Sequence, residues 1–281
     1  MAYEQRGETT RFDLGERIHE TDWIVRDLNG DGRSDILFFP GAQNVFRADL
    51  AERVPMIALL RTSDGGFREA TEEAFEGAAP TAFLPKGLAE ADFDGDGYSD
   101  VFLADQGIDD EPFPGAPQHL ALSGGDVMLA SADHRIVGRD DIEAHDAAVG
   151  DIDGDGDIDA FVASIASEAP RRSHLLINDG HGQLTASTAG LPDTLLATYS
   201  HDTAVIDGTD AWLEYTYTAT ALFDADADGD LDLGLFASAA AEHSRVLLND
   251  GSGAFDGGSI VLPDGRYGSG KRLIVDNDFL D

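Results

Sequence analysis

A nine-residue acidic pattern occurs four times along the chain and limits its possible architectures more than any other feature. The copies are Asp27-Leu-Asn-Gly-Asp-Gly-Arg-Ser-Asp35, Asp92-Phe-Asp-Gly-Asp-Gly-Tyr-Ser-Asp100, Asp151-Ile-Asp-Gly-Asp-Gly-Asp-Ile-Asp159 and Asp224-Ala-Asp-Ala-Asp-Gly-Asp-Leu-Asp232. Positions 1, 3, 5 and 9 carry Asp or Asn every time, and position 6 is always glycine. The starts lie 65, 59 and 73 residues apart, a period too long for leucine-rich or tetratricopeptide units and suited to a four-stranded propeller blade with variable loops. Short apolar runs flank the copies, such as Trp23-Ile-Val25 and Ile36-Leu-Phe-Phe39 around the first and Ala147-Ala-Val149 and Ala160-Phe-Val162 around the third. Runs of that length between Gly and Asp read as strands, so each nonapeptide is expected to be a loop joining two strands.

A second element follows each loop. Leu176-Ile-Asn-Asp-Gly-His-Gly-Gln-Leu184 and Leu247-Leu-Asn-Asp-Gly-Ser-Gly-Ala-Phe255 match closely, and Leu59 to Phe67 and Leu122 to Leu129 are looser relatives. Asn, Asp and Gly tolerate the positive φ of tight reversals, so these segments predict hairpins. Two hairpins per repeat give the content of one blade. The expected fold is all-β: a β-propeller of four-stranded blades, with the acidic loops between the first two strands of each blade. It is read as a single domain or propeller fragment over residues 1–281, with repeats at about 23–87, 88–146, 147–219 and 220–272 and a partial fifth at 273–281. Either a compact four- to five-blade ring or a piece of a longer polypeptide accommodates that count. Gln106 to Gln118 and Thr194 to Thr216 break the period and read as long loops on one face, where binding often resides.

The acidic loops point to calcium. Carboxylates crowded into nine residues repel one another, each close pair costing on the order of 1 to 4 kcal/mol. Oxygen ligands at alternate positions, a glycine for the sharp turn and a carbonyl at position 7 are how an EF-hand loop wraps a hard cation. Zinc prefers nitrogen and sulfur. The bidentate Glu that closes an EF-hand is missing, since position 12 is Phe38, Leu103, Val162 and Leu235, and the closing carboxylate falls at position 9 instead. The candidate ligands are Asp27, Asn29, Asp31, Arg33 and Asp35; Asp92, Asp94, Asp96, Tyr98 and Asp100; Asp151, Asp153, Asp155, Asp157 and Asp159; and Asp224, Asp226, Asp228, Asp230 and Asp232. At position 7 the carbonyl would bind and the side chain would point to solvent. Four structural calcium ions are expected, the first site being the weakest because Asn29 removes a charge.

Composition narrows the partners. With 55 Asp and Glu against 18 Lys and Arg, the formal charge is -37, which repels nucleic acid and anionic membranes. No run approaches the ~18 apolar residues of a membrane span, so no membrane insertion is expected. Met1 to Arg11 is polar and carries no apolar leader, so export, if used, is expected to rely on an address outside this sequence or on a route that needs no cleaved leader. Cysteine is absent, leaving no disulfide framework.

At these loops the chain resembles the FG-GAP and VCBS repeats of the integrin alpha N-terminal propeller superfamily, whose calcium loop has the form D-x-D-x-D-G-x-x-D. The resemblance covers residues 23 to about 275. It implies a calcium-loaded propeller and membership among secreted or surface bacterial proteins. The Phe-Gly and Gly-Ala-Pro tripeptides that name the FG-GAP repeat are missing at their expected places, the nearest being Pro40-Gly-Ala42, so the VCBS branch fits better. Two function classes follow: non-enzymatic adhesion or recognition of a protein or glycan at the cell surface, which is favoured, and a propeller hydrolase or lyase acting on a polysaccharide or phosphate ester in an axial channel. Gly265 to Lys271 has phosphate-loop spacing, but Arg272 replaces the Ser or Thr needed for magnesium, and a glycine-rich turn is the better reading. His145 and His201-Asp202 fall in no recognisable catalytic motif.

Overall fold

The computed structural model describes residues 21–262 apart from 43, 125–127, 139–140, 165–171, 197–204, 207–208, 211–216, 238–243 and 256–257. The partial fifth repeat at 273–281, the Gly265 to Lys271 turn, His201-Asp202 and most of the Thr194 to Thr216 insertion lie outside the described residues.

The described chain is all-β with almost no helix, as its alternating apolar runs and Gly-Asp turns require. Its four main sheets follow one another in sequence. The first has strands Thr21–Arg26, Asp35–Pro40, Ile57–Arg61 and Phe67–Glu69, and the fourth has Tyr217–Phe223, Asp232–Ala237, Arg245–Leu247 and Ser259–Val261. Both are antiparallel meanders in simple sequential order. Each acidic nonapeptide joins the first strand of a sheet to its second, and each Asn-Asp-Gly element follows a third strand, as the apolar runs predict.

The second and third sheets depart from the four-stranded expectation. The second pairs Pro85–Ala91, Asp100–Asp105, His119–Ser123 and Leu129–Ser131, and the third pairs Ala144–Gly150, Asp159–Ser164, His174–Asn178 and Leu184–Ser187. To the outer edge of each is added a short parallel strand, Phe75–Glu76 in the second and Ile136–Val137 in the third. These strands come from the connection leaving the preceding sheet. Phe75 and Ile136 are buried, so each connection is pinned by one apolar side chain and covers an outer edge that would otherwise stand open. The local sequence of Phe75-Glu76 carries no sign of this, because its partner lies in the next sheet.

Apolar faces pack between consecutive sheets. Ile24, Leu37 and Phe39 meet Leu88, Val101 and Leu103; Phe102 and Leu120 meet Ala160, Val162 and Leu176; Phe161 and Leu175 meet Leu233, Leu235 and Leu247. The first strands of the sheets are neighbours. Asp22 Oδ2 accepts from the Leu88 N–H at 3.1 Å, and Asp146 Oδ2 accepts from the Thr220 N–H at 2.6 Å. Between these two contacts, a Cβ on Gly87 would come within 2.5 Å of the Ala147 nitrogen, so glycine alone allows that approach.

At the strand ends opposite the acidic loops, two connections build a platform. The Ala42 N–H donates to the Phe83 carbonyl, the Asp109 N–H to the Val45 carbonyl and the Ala48 N–H to the Asp110 carboxylate. Arg53 stacks over Phe83 at 4.5 Å and reaches the buried Asp105 carboxylate at 3.4 Å. The Gln106 to Gln118 insertion is thus tied to the segment that follows the first sheet's second strand.

Candidate metal centres

All four acidic loops have the same hydrogen-bonded frame. The position 1 carboxylate reaches across the loop and accepts from the position 6 glycine: Asp27 from Gly32 at 2.7 Å, Asp92 from Gly97 at 2.9 Å, Asp151 from Gly156 at 3.1 Å and Asp224 from Gly229 at 3.2 Å. The position 5 carboxylate accepts from the N–H of position 7, as Asp155 does from Asp157 at 3.0 Å. Position 6 has positive φ throughout, and so does position 4, at Gly30, Gly95, Gly154 and Ala227. Only glycine enters that region without steric cost, so Ala227 at φ 65° is a strained substitute.

The position 9 aspartates are buried at the base of each loop and hold two strands at once. Asp35 accepts from Leu28 and Arg61, Asp100 from Phe93 and Ser123, Asp159 from Ile152 and Asn178, and Asp232 from Ala225 and Asn249. One oxygen satisfies the loop and the other the third strand or, for Asp232, the turn just after it. Burial raises the carboxyl groups of Asp100 and Asp159 to about 6, although these N–H donors act in the opposite direction.

Three of the loops bring carboxylate oxygens within 4.8 Å of one another: Asp92, Asp94 and Asp96; Asp151, Asp153 and Asp159; Asp224, Asp226 and Asp232. Positions 1 and 3 are common to all three; position 5 joins in the second loop and position 9 in the third and fourth. Buried Asp153 Oδ1, Asp224 Oδ1 and Asp230 Oδ1 have no hydrogen-bond partner. Loss of solvent, and then neighbouring negative charge, raises the carboxyl groups of Asp94, Asp153 and Asp226, and takes Asp230 to about 6. A donor set made only of oxygens, with unsatisfied lone pairs and mutually repelling charges, fits a hard divalent cation.

The first loop forms no such cluster among the described residues. Asn29 stands at position 3, and the Arg33 guanidinium turns back onto the Asp31 carboxylate while its Nε donates to the Arg61 carbonyl at 3.0 Å. Asp27 accepts backbone N–H groups from Gly32, Asn29 and Asp31, and the Gly32 bond leads in holding its carboxyl below the usual range. Position 7 also differs from expectation in the third loop. The Asp157 carboxylate does not run out to solvent but lies against Gly180 of the hairpin, where a Cβ would overlap it.

The Asn of each close hairpin match does more than turn the chain. Asn178 Nδ2 donates to the Ile158 carbonyl at 2.9 Å within its own sheet and to the Phe93 carbonyl of the preceding acidic loop at 2.7 Å. Asn249 repeats this with Leu231 at 3.0 Å and Ile152 at 2.7 Å. Ser123, at the same place in the second sheet, reaches only Ser99 of its own sheet, at 2.9 Å. The recurrence of Asn before Asp-Gly was the visible signal, and its long-range partners were not. A cleft of about 430 Å³ beside the first strands is lined by Trp23, Ile24, Val25, Leu88, Ala89 and Glu90.

Residues 27–103 match the model of the FG-GAP-like repeat, the family that the loops resemble. No curated protein matches the sequence. Among solved structures, the chain is similar to an Agrocybe aegerita lectin described as recognising non-reducing terminal N-acetylglucosamine, at 17% identity and a TM-score of 0.41, over 86% of this chain and 51% of that one. It is also similar to the V. cholerae biofilm matrix protein Bap1, at 16% identity and a TM-score of 0.36, over 83% and 30%. A third is the exotype rhamnogalacturonan lyase YesX, at 15% identity and a TM-score of 0.41, over 83% and 39%. The chain thus spans about half or less of each of these proteins.

Proposed function

We propose, taking the FG-GAP-like repeat of residues 27–103 as the premise, that the chain is a calcium-stabilised β-propeller that recognises a protein or glycan outside the cytoplasm and is not an enzyme. The observation that carries the calcium reading is the set of three oxygen clusters, two of them with buried carboxylate oxygens that accept no hydrogen bond. Asp92, Asp94 and Asp96, Asp151, Asp153 and Asp159, and Asp224, Asp226 and Asp232 would hold the ions. The bound ion supplies positive charge that offsets carboxylate repulsion at each turn between first and second strands.

Location follows from affinity. Loops that are open to water and lack the bidentate Glu of an EF-hand are expected to bind in the ~10⁻⁴ to 10⁻³ M range of extracellular modules. Cytosolic calcium would leave them empty. The recognition reading is supported by the platform of residues 41–42, 44–55 and 106–118, two hydrogen-bonded connections with Arg53 of the first stacked over Phe83.

Thermal melting of metal-stripped protein in chelator and in millimolar calcium tests the first part. Each occupied site adds about 2.7 kcal/mol at a hundredfold excess over Kd, so a large upward shift is expected, and identical melting curves would remove the calcium reading. Glycan-array and pull-down profiles of the calcium-loaded protein test recognition. Signals that survive charge reversal of Arg53 and remodelling of 106–118 would place the binding surface elsewhere.

A further inference from the structure

The three loops that gather their carboxylates are the three that the hairpin asparagines join. Asn249 holds two loops at once. Its backbone N–H donates to Asp232 Oδ1 of the fourth loop at 2.9 Å, and its Nδ2 donates at 2.7 Å to the Ile152 carbonyl, between Asp151 and Asp153 of the third. Ile152 carries the link onward, because its N–H donates to Asp159 Oδ2 at 2.9 Å. The other Asp159 oxygen accepts from the Asn178 N–H at 2.8 Å, and Asn178 Nδ2 donates at 2.7 Å to the Phe93 carbonyl, between Asp92 and Asp94 of the second loop. One line of buried hydrogen bonds thus runs through all three clusters.

The hairpins also lie against the loops they reach. A Cβ on Gly154 would come within 2.8 Å of the Gly251 carbonyl oxygen, and one on Gly182 within 3.1 Å of the Asp94 Cβ. The line stops before the first loop. There Ser123 replaces the asparagine and bonds Ser99 of its own sheet, and the first loop forms no cluster among the described residues.

We propose that Asn178 and Asn249 are positioning residues that couple the three clusters, so that an ion in one loop raises the affinity of the next and the three sites fill together. An ion that draws repelling carboxylates together fixes the position 9 aspartate, the aspartate fixes the asparagine, and the asparagine fixes the peptide at the centre of the preceding loop. The ordering cost met by one ion is then smaller for the next. The coupling rests on the calcium reading of these loops and adds a regulation to it.

Full-length, metal-stripped protein is titrated with calcium by calorimetry in about 0.15 M salt, which screens repulsion between ions on exposed loops. Asp226→Ala removes the fourth-loop ion, and the two ions that remain are expected to bind about fivefold or more weakly than in the parent. Serine is the informative replacement for the asparagine, since Ser123 keeps a bond within its own sheet and reaches no further. In Asn249→Ser, the same Asp226→Ala change is expected to leave the two remaining affinities unaltered. A merely structural Asn249 would weaken binding without removing this dependence on Asp226. Equal weakening in both backgrounds, or none in either, overturns the coupling and leaves the calcium reading standing. A parent that binds no calcium and melts identically in chelator overturns both. Should Asn249→Ser fail to fold, Asn178→Ser with Asp94→Ala reads the same cycle from the second loop, with the same outcomes.

Discussion

The first and fourth acidic loops share one backbone plan and solve the problem of crowded charge in opposite ways. In the first, the charge is answered from within: Asn29 removes one carboxylate, Arg33 pairs with Asp31, and three backbone N–H groups hold Asp27 in its ionised form. In the fourth, Asp230 stands where Arg33 does, Asp224 Oδ1 and Asp230 Oδ1 accept no hydrogen bond, and the Asp230 carboxyl rises to about 6. Of the five positions at which the two loops differ, two change the charge, Asn29 against Asp226 and Arg33 against Asp230, and they separate a self-neutralised turn from one whose carboxylates could hold an external cation. Ligand spacing alone therefore does not decide whether such a loop gathers its carboxylates into a cluster.

The comparison is broken most directly by exchanging its terms. Asp230→Arg is expected to abolish calcium binding at the fourth loop and with it about 2.7 kcal/mol of stabilisation at a hundredfold excess of calcium over Kd, read by calorimetric stoichiometry and melting. The same titration of the unaltered protein should find three ions rather than four. An unchanged stoichiometry in Asp230→Arg, or four equal sites in the parent, would show that the internal cation of the first loop does not matter.

Next in size is the stitching between sheets. Asn178→Ala removes the donors to one buried and one part-buried carbonyl and is expected to cost about 2 kcal/mol or more, whereas Ser123→Ala loses one bond and should cost about 1 kcal/mol in denaturant unfolding. Ala227→Gly relieves the left-handed strain peculiar to the fourth loop and should stabilise by about 1 kcal/mol. Equal effects of Ala227→Gly in folded and strain-free settings, such as a peptide loop, would assign the gain to other causes.

The remaining expected effect concerns pH. Burial raises the Asp146 carboxyl to about 7, above its unfolded value, despite the N–H and hydroxyl that Thr220 donates to it. The folded protein favours the protonated form, so this group's contribution is full below pH ~4 and is lost as pH rises toward and through 7. In saturating calcium, Asp146→Asn should flatten the fall in melting temperature between pH 5.5 and 8. A slope identical to that of the parent would assign the dependence to other groups.

Much of this could be read in the chain itself. Loop positions, the strands around them and the two hairpins per repeat are local patterns, since a Gly at position 6 or an Asn-Asp-Gly turn states its backbone demand within a few residues. Arg33 was legible only as a residue whose carbonyl could bind, because a side chain folding back on its own loop is a matter of conformation. The parallel strands Phe75–Glu76 and Ile136–Val137, and the partners of Asn178 and Asn249, depend on chain segments far off in sequence. Position 9 was legible as a carboxylate near a cation, yet its grip on the third strand appears only when that strand is in place.

The asparagine stitches also bear on how the protein is made. Asn178 reaches a carbonyl 85 residues earlier and Asn249 one 97 residues earlier, and each belongs to the sheet after the loop that it closes. During synthesis from the N-terminus, the second and third acidic loops leave the ribosome long before the side chains that lock them, so maturation of these two turns trails elongation by one whole repeat. Stability of these loops is then a property of adjacent pairs, and the second or third repeat excised by itself would lack the bond that fixes its own loop.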